Sequence, residues 1–409
     1  MRLLKWISWF LAGLVVLVLV AVAVLVWVVD PNGFKPRIEA AVREATGREF
    51  TLVGDIELGF FPWLSLRAGS GQFGNEPGFP AEPMASWRSA RLGVKVFPLL
   101  RGELEVDRIR LDGADVRLTR HADGHANWQG IGSNQPADPQ AKRRHVTIDG
   151  VDLRDSRLLF VDESVPRRVE ITALNLTTGA IAPDQPFTGT EIRGDLHMTG
   201  FVPAGVPFRL VVPKAALSKD YSSLDAPGFE MSLGGLEAEG GISGDLGASP
   251  RLAGKIETNA FDVRALLTSL GVDAPKTTDP KALTRVALKS AWRLDAGALA
   301  LDPLAVTLDD THFTGNFLRG AGEDPVGDFT LRGDRLDITR YVPLTDPHSA
   351  PFVLPTAMLK ALKFRGVLQL EHATYEDTVM KGVTLRLLLD DQGLRSQRVP
   401  AAQNSRGKS

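Results

Sequence analysis

The stretch that decides the fold is GELEVDRIRLDGADVRLTRHADGHANW, residues 102–128. Apolar and polar residues alternate along it, as in a β-strand with one buried face. His121 and His125 have the spacing of metal ligands, but the turn residues Asp123 and Gly124 lie between them. A closed zinc site needs four ligands, and no third ligand type clusters nearby. We therefore interpret the segment as a hairpin and predict no metal site.

The same alternation continues from residue 50 to beyond residue 380, so we predict a mostly β protein. IRLDGADVR at residues 109–117 recurs as VTIDGVDLR at residues 146–154. Each Asp-Gly pair is expected to form a tight hairpin, because glycine accepts the positive φ of such turns. Repeated hairpins favour an elongated, curled antiparallel sheet that forms a β-groove. A closed sandwich or barrel remains the alternative.

Helical periodicity is confined to a few short segments. The expected helices cover residues 36–47, 263–270, 280–286 and 355–362. In the first of these, an apolar face dominated by alanine is expected to pack on protein rather than in lipid.

The run WISWFLAGLVVLVLVAVAVLVWVV, residues 6–29, carries no charge and is long enough to span a bilayer as a helix. Trp6, Trp9 and Trp27 lie near its ends, where indoles favour the membrane interface, and Val29 is its last residue. A cleaved signal peptide usually has a shorter apolar region, so we predict an uncleaved anchor. We place residues 1–5 in the cytoplasm and the body outside it.

The composition excludes several classes of function. The chain of 409 residues has no cysteine, which removes disulfides and thiolate chemistry. Its 47 basic and 49 acidic residues give no excess charge for nucleic acid. GSGQFG, residues 69–74, lacks the following helix of a dinucleotide site. With no catalytic motif, we predict neither an enzyme nor a cofactor.

Several motifs together resemble the AsmA family of bacterial envelope proteins. They include GDIEL with FPW, the FPLLRGEL stretch and ADGHANW, and the resemblance continues through FDVRALLTSLGV and LRGDRLDITRYVP to about residue 394. It implies a single-pass inner-membrane protein with a periplasmic body that supports outer-membrane biogenesis through phospholipid transport between membranes. The alternative is an envelope scaffold or assembly factor that regulates protein targeting to the membrane.

The resemblance also sets the expected organisation. A periplasmic β domain is expected over residues 30–395, and beside the family the ending looks truncated. Residues 396–409 are polar, lack aromatic residues and show no periodicity, so we predict a disordered tail there. Acyl chains of phospholipid and envelope proteins are the expected partners. The mouth of the lipid groove is expected at five apolar residues near the anchor, with ordinary core packing as the alternative. They are Phe60, Phe61, Trp63, Phe97 and Leu99.

Overall fold

The chain forms two compact units in a computed structural model. The N-terminal unit comprises residues 1–185 and 192–199, and the C-terminal unit comprises residues 186–191 and 200–409. The residues described are 30–59, 63–95, 104–129, 146–164, 167–181, 185–198, 202–218, 222–247, 249–322, 325–342, 363–390 and 393–399.

The anchor predicted for residues 6–29 lies outside the described residues, together with Trp6, Trp9, Trp27 and Val29. Within the part of the chain that the structure describes, no helix is long and apolar enough to cross a membrane. The short helix predicted at residues 355–362 also lies outside the described residues.

The N-terminal unit contains helix α1 (Lys35–Thr46) and a series of short strands. They are β1 (Phe50–Leu52), β2 (Ile56–Gly59), β3 (Trp63–Ala68), β4 (Gly71–Phe73), β5 (Ala85–Trp87), β6 (Ser89–Lys95), β7 (Leu104–Val106), β8 (Ile109–Asp112), β9 (Asp115–Arg120), β10 (Val146–Ile148), β11 (Val151–Asp162) and β12 (Arg167–Thr177). The residues of β13 (Phe187–Met198) are divided between the two units.

Helix α1 confirms the first predicted helix. It has a proline in its first turn and ends at Gly47, whose φ of 70° is the left-handed conformation that glycine accepts without strain. Ile38 packs on a small core of Leu52, Ile56 and Ala68. The helix therefore packs on protein, as the sequence indicated.

The sheet of the N-terminal unit is mixed, which corrects the prediction of purely antiparallel hairpins. Strand β11 runs parallel to both β8 and β9, and β10 runs parallel to β7. Gly113, with a φ of 63°, lies between β8 and β9, which pair successively with the same strand in the same direction. The Asp-Gly pairs of the repeat are thus steps within continuing strands, and the two copies lie side by side.

The C-terminal unit contains the longer strands. They are β14 (Val202–Leu217), β15 (Ser223–Leu233), β16 (Leu236–Asp245), β17 (Arg251–Thr258), β18 (Val286–Asp295), β19 (Ala298–Leu308), β20 (Thr311–Arg319), β21 (Gly327–Asp337), β22 (Phe364–Tyr375), β23 (Thr378–Asp390) and β24 (Gly393–Val399). Helix α2 (Val263–Ser269) follows β17, and a 3-10 turn (Ile338–Tyr341) follows β21.

These strands follow one another as antiparallel neighbours from β14 to β21 and again from β22 to β24. The pair β21–β22 is parallel, so this sheet is also mixed. Helix α2 confirms the helix predicted at residues 263–270, and the Asp262 carboxylate caps it by accepting from the amides of Arg264 and Ala265.

The helix predicted for residues 280–286 is wrong: residues 280–284 form turns, and β18 begins at Val286. The Asp309 carboxylate, 5% exposed, accepts from the amides of Leu283, Thr284 and Arg285 at 2.9–3.1 Å. These backbone donors therefore bond a side chain from the turn between β19 and β20 instead of helical carbonyls, and Leu283 takes a positive φ of 66°.

The boundary predicted between residues 395 and 396 falls inside β24. Ser396 pairs with Leu387 and Val399 pairs with Thr384, both antiparallel to β23. The first four residues of the predicted tail are thus part of a strand, and residues 400–409 lie outside the described residues.

Candidate functional site: the apolar face of the C-terminal unit

The register of the C-terminal unit brings apolar side chains together on one face of six neighbouring strands, β18 to β23. Directly paired residues point to the same side of a sheet, so each line of paired residues forms a row on one face. The first row is Leu288, Val306, Phe313, Gly333, Leu370 and Val383. The second row is Ser290, Leu304, Gly315, Leu331, Leu368 and Leu385.

The same face continues through two further rows. The third row is Trp292, Leu301, Phe317, Phe329, Gly366 and Leu387. The fourth row is Leu294, Leu299, Arg319, Gly327, Phe364 and Leu389. We call these four rows the apolar face. On the side of β17, Ile256 pairs with Ser290 and Leu252 pairs with Leu294, so the apolar surface extends beyond the six strands.

Most residues of this face are partly buried, and few are fully enclosed. One buried cluster contains Phe313, Leu370, Ala373 and Val383. Its other apolar members come from β19 to β23 and from the 3-10 turn, as expected for side chains that contact neighbours within one layer. In a sandwich the opposite sheet would contribute half of such a cluster. Within the described residues, therefore, this cluster is a single-layer arrangement.

Aromatic rings on this side of the sheet lie over glycines of the neighbouring strand. Phe313 pairs directly with Gly333, where an added Cβ would lie 2.7 Å from the ring. Phe329 pairs with Gly366 and Trp292 pairs with Gly254 in the same way, at 2.5 and 3.0 Å. At Gly333 and Gly366 an added Cβ would overlap the ring, so only glycine leaves room for it there, and at Gly254 the fit is tight. The rings thus cover backbone that would otherwise be bare.

The opposite face of the same strands carries the charged side chains together with small and apolar residues, and many of its residues are exposed. It carries cross-strand ion pairs, including Glu257 with Lys289 at 2.5 Å and Asp328 with Arg365 at 2.6 Å. His312, Thr314 and the residues that follow them at every second position of β20 are exposed. The residues of the apolar face lie between them and are partly or fully buried. The sheet of the C-terminal unit is therefore amphipathic.

A depression of about 920 Å³ lies along β14 to β19. Pro213, Pro227 and Pro303 line it at or beside shifts in strand register, where a missing amide donor is tolerated. The rest of its lining comes from both faces of these strands: small and charged residues such as Gly241, Ala253, Glu239 and Lys255, and the apolar side chains of Phe229, Ile242 and Ile256.

Two residues of the apolar face are polar, and they differ in whether their hydrogen-bonding groups have partners. The Ser290 hydroxyl donates to the carbonyls of Ala291 and Pro303 at 2.7 and 3.0 Å. Arg319 has a buried Nε with no hydrogen-bond partner, and the structure describes no ion pair for it. Its position could have been detected in the sequence, because Phe313, Gly315, Phe317 and Arg319 occupy one phase of the strand HFTGNFLR.

The predicted groove mouth is not assembled in the described residues. Phe60, Phe61, Phe97 and Leu99 lie outside them, and for Trp63 only the backbone is described. Trp63 begins β3 and pairs with Lys95 of β6. The grouping of these five residues therefore stays a prediction.

His121 and His125 lie on the predicted hairpin turn, where the amide of His121 donates to the carbonyl of His125 at 2.8 Å. Each ring contacts a different carboxylate: His121 Nδ1 lies 2.7 Å from Glu163, and His125 Nε2 lies 3.4 Å from Glu76. Both rings also contact Phe79. The hydrogen bond to Glu163 raises the pKa of His121. Among the described residues, no group of three or more acidic or histidine side chains could hold a metal ion.

The asparagine of the ADGHANW motif is a buried residue that holds the turn in place. Asn127 is fully buried; its Oδ1 accepts from the Thr119 amide at 3.0 Å, and its Nδ2 donates to the carbonyl of Arg117 at 2.9 Å and to Asn75 Oδ1 at 3.1 Å. The turn is thereby fixed to β9 and to the loop that contains Asn75. This residue supports the fold and contacts no candidate site.

Together these features define a β protein whose C-terminal unit presents one apolar face and one polar face. The AsmA family model matches residues 1–200, which confirms over that region the resemblance seen in the sequence. Protein AsmA of Escherichia coli is 32% identical over 113 residues, or 27% of this chain and 18% of the relative. The AsmA family protein YhjG of the same organism is 23% identical over 205 residues, or 46% of this chain and 30% of the relative.

The matched regions thus span less than a third of either curated relative. No solved structure matches the chain.

Proposed function

We propose that this protein is a non-enzymatic component of the bacterial envelope that supports outer-membrane biogenesis by handling phospholipid on the apolar face of its C-terminal unit. The observation that carries the proposal is the set of four apolar rows across β18 to β23. Exposing apolar area to water costs about 25 cal/mol per Å². An extended apolar surface of one layer is a site for an apolar partner, and acyl chains match its chemistry.

Membrane attachment is part of the same proposal. The uncharged run at residues 6–29 would anchor the chain in the inner membrane, with residues 1–5 in the cytoplasm and the body in the periplasm. Protease added to spheroplasts is then expected to degrade the region after residue 30. Full protection in intact spheroplasts, with degradation after lysis, would contradict this orientation.

The direct test of lipid handling uses neighbouring residues of one strand on opposite faces. A photo-crosslinking amino acid replaces Leu331 or Leu368 on the apolar face, and Thr330 or Gln369 serves as the matched polar-face control. After irradiation in cells, mass spectrometry of the purified full-length chain should find phospholipid adducts at the first pair alone. Equal labelling at all four positions, or none at the leucines in a folded protein, would contradict the proposal.

The second candidate is an envelope scaffold that uses the polar face. Leu318 of β20 is 53% exposed there, beside a depression of about 590 Å³ lined by Leu388, Val367 and Arg386. Exposed apolar residues within a charged surface are typical of transient protein contacts. A photo-crosslinking residue at Leu318 that captures one defined envelope protein, with no lipid on Leu331, would favour this function.

A further inference from the structure

Arg319 is the charged residue among the four rows of the apolar face. It is the last residue of β20 and lies in the fourth row, paired with Leu299 on one side and Gly327 on the other. Two phenylalanines on the same face lie nearby: Phe317, two residues earlier on β20, and Phe364, in the same row. A guanidinium is always charged in proteins, so this position brings a fixed positive charge to an apolar surface.

The positive charge has no counter-ion within the described chain. Among the described residues, Arg110 also has a buried Nε without a hydrogen-bond partner. Its Nε, however, lies 3.9 Å from the Asp152 carboxylate. The Arg319 Nε is buried without a hydrogen bond, and the described residues place no acidic group against it. Arg293, for which the described residues likewise provide no partner, is exposed on the polar face, where water can solvate it. Arg319 as a whole is partly exposed, but a buried N–H donor without an acceptor is costly unless an acceptor from outside supplies the missing bond.

We propose that Arg319 binds the acidic head of an amphipathic ligand whose acyl chain lies on the apolar face. This inference rests on the proposed lipid function and specifies its ligand class as an amphipath that carries a phosphate or a carboxylate. The planar guanidinium donates hydrogen bonds in a fork that matches two oxygens of either group. Arg319 is a specificity-determining residue in this arrangement, because neutral amphipaths of the same chain length cannot make these bonds.

The position of Arg319 in the fourth row suits a head-group site. Rows on one face are separated by two residues along a strand, about 6.7 Å, so the four rows span about 20 Å. The charge thus lies at one end of this span, next to the turn that begins at Gly320. An acyl chain that starts at Arg319 can lie over Phe317, Leu301 and Leu331 without meeting another charge.

The test measures binding of three fluorescent amphipaths with the same acyl chain to the purified full-length protein in detergent. One carries a phosphate diester (phosphatidylglycerol), one a carboxylate (the free fatty acid), and one is the neutral diacylglycerol. Replacing Arg319 by Gln is expected to weaken binding of at least one anionic probe about tenfold or more, because a charge-assisted pair of bonds is lost. Binding of diacylglycerol should stay unchanged, and Arg319→Lys should retain part of the anion preference. The anionic probe that is affected identifies the head group.

The matched control is Arg293→Gln, which removes a charge from the polar face and should leave all three affinities unchanged. Because Arg319 has no partner to lose in the described chain, the melting temperature of ligand-free Arg319→Gln should equal or exceed that of the parent. A folded Arg319→Gln protein that keeps its anion affinity, or loses anionic and neutral binding equally, would overturn the inference while leaving lipid handling intact. Failure of the unaltered protein to bind any of the three probes would instead reject the proposed function.

Discussion

Asp309 is expected to hold the segment of residues 283–285 in place, and its replacement should release that segment specifically. The carboxylate accepts hydrogen bonds from three backbone amides at 2.9–3.1 Å and from the Tyr341 hydroxyl at 2.8 Å. Burial and the bond to Asp309 both raise the pKa of Tyr341, so the phenol remains a donor throughout the accessible range. All four donors depend on one side chain.

The magnitude follows from those bonds. A hydrogen bond to a charged group contributes about 1.5–3 kcal/mol, and contributions within one network do not simply add. We therefore expect Asp309→Ala to lower the free energy of opening this segment by at least about 3 kcal/mol, which is a factor of over one hundred. The positive φ of Asp309, 51°, adds a further penalty for alanine. Asp309→Asn tolerates that φ but presents an amide NH₂ group to two of the four donors, so its effect should be intermediate.

The assay is hydrogen–deuterium exchange of the full-length protein, followed at the amides of residues 283–285. Asp310→Asn is the matched control, because Asp310 is 75% exposed and pairs with Arg340 at the surface. Tyr341→Phe removes one donor and should accelerate exchange by less than Asp309→Ala. An exchange rate that changes less than threefold in Asp309→Ala would refute the reasoning.

Three further predictions follow from burial and charge. Leu370, 2% exposed, lies in the buried cluster of the apolar face, so Leu370→Ala should lower stability by about 2–5 kcal/mol in urea titration, against less than about 0.5 kcal/mol for the exposed Leu318→Ala. The Arg120 guanidinium holds the pKa of Asp162 at about 2. The stability that the ionised Asp162 contributes is therefore complete above about pH 4 and is lost as the pH falls towards 2. Asp162→Asn should lack this part of the acid-induced fall in melting temperature. Glu163 raises the pKa of His121, so that contribution is present below about pH 6.5 and is lost as the pH rises through the raised value; Glu163→Gln should lower the pKa in a ¹³C-histidine NMR titration.

The alternation of apolar and polar residues was sufficient to predict a mostly β protein, because a period of two reports burial of one face. It could not predict strand partners. The Asp-Gly pair at residues 112–113 is compatible with a hairpin turn, yet here it joins two strands that continue along β11. Whether a chain reverses or steps at such a pair depends on the strand lying beside it. That strand belongs to the second copy of the repeat, and local sequence does not specify its position.

The same limit explains the helix wrongly predicted at residues 280–286. Its local composition permits a helix, but the amides of Leu283, Thr284 and Arg285 bond a carboxylate that lies 24 or more residues further along the chain. By contrast, helix α1 depends on local signals, the proline in its first turn and Gly47 at its end, and it was predicted correctly. The apolar strands were likewise visible in the sequence, whereas Arg319 acquires its meaning once the register places it in the fourth row.

Within the described residues no second sheet contributes to the buried cluster of the apolar face, and the aromatic–glycine pairs account for how such a face can exist. In a sandwich, large side chains stand out from each sheet and interdigitate with those of the other. Here the rings of Phe313, Phe329 and Trp292 lie over glycines of the adjacent strand, so each ring buries one side on its own sheet. The leucines beside them contact neighbours in the same layer. Because each ring already buries one side, such a surface exposes less apolar area to water when uncovered than a surface of upright side chains. It also has no fixed holes into which the side chains of a partner must fit. A flexible acyl chain suits a surface of this kind better than a second rigid sheet, because the chain can adapt to it in many conformations.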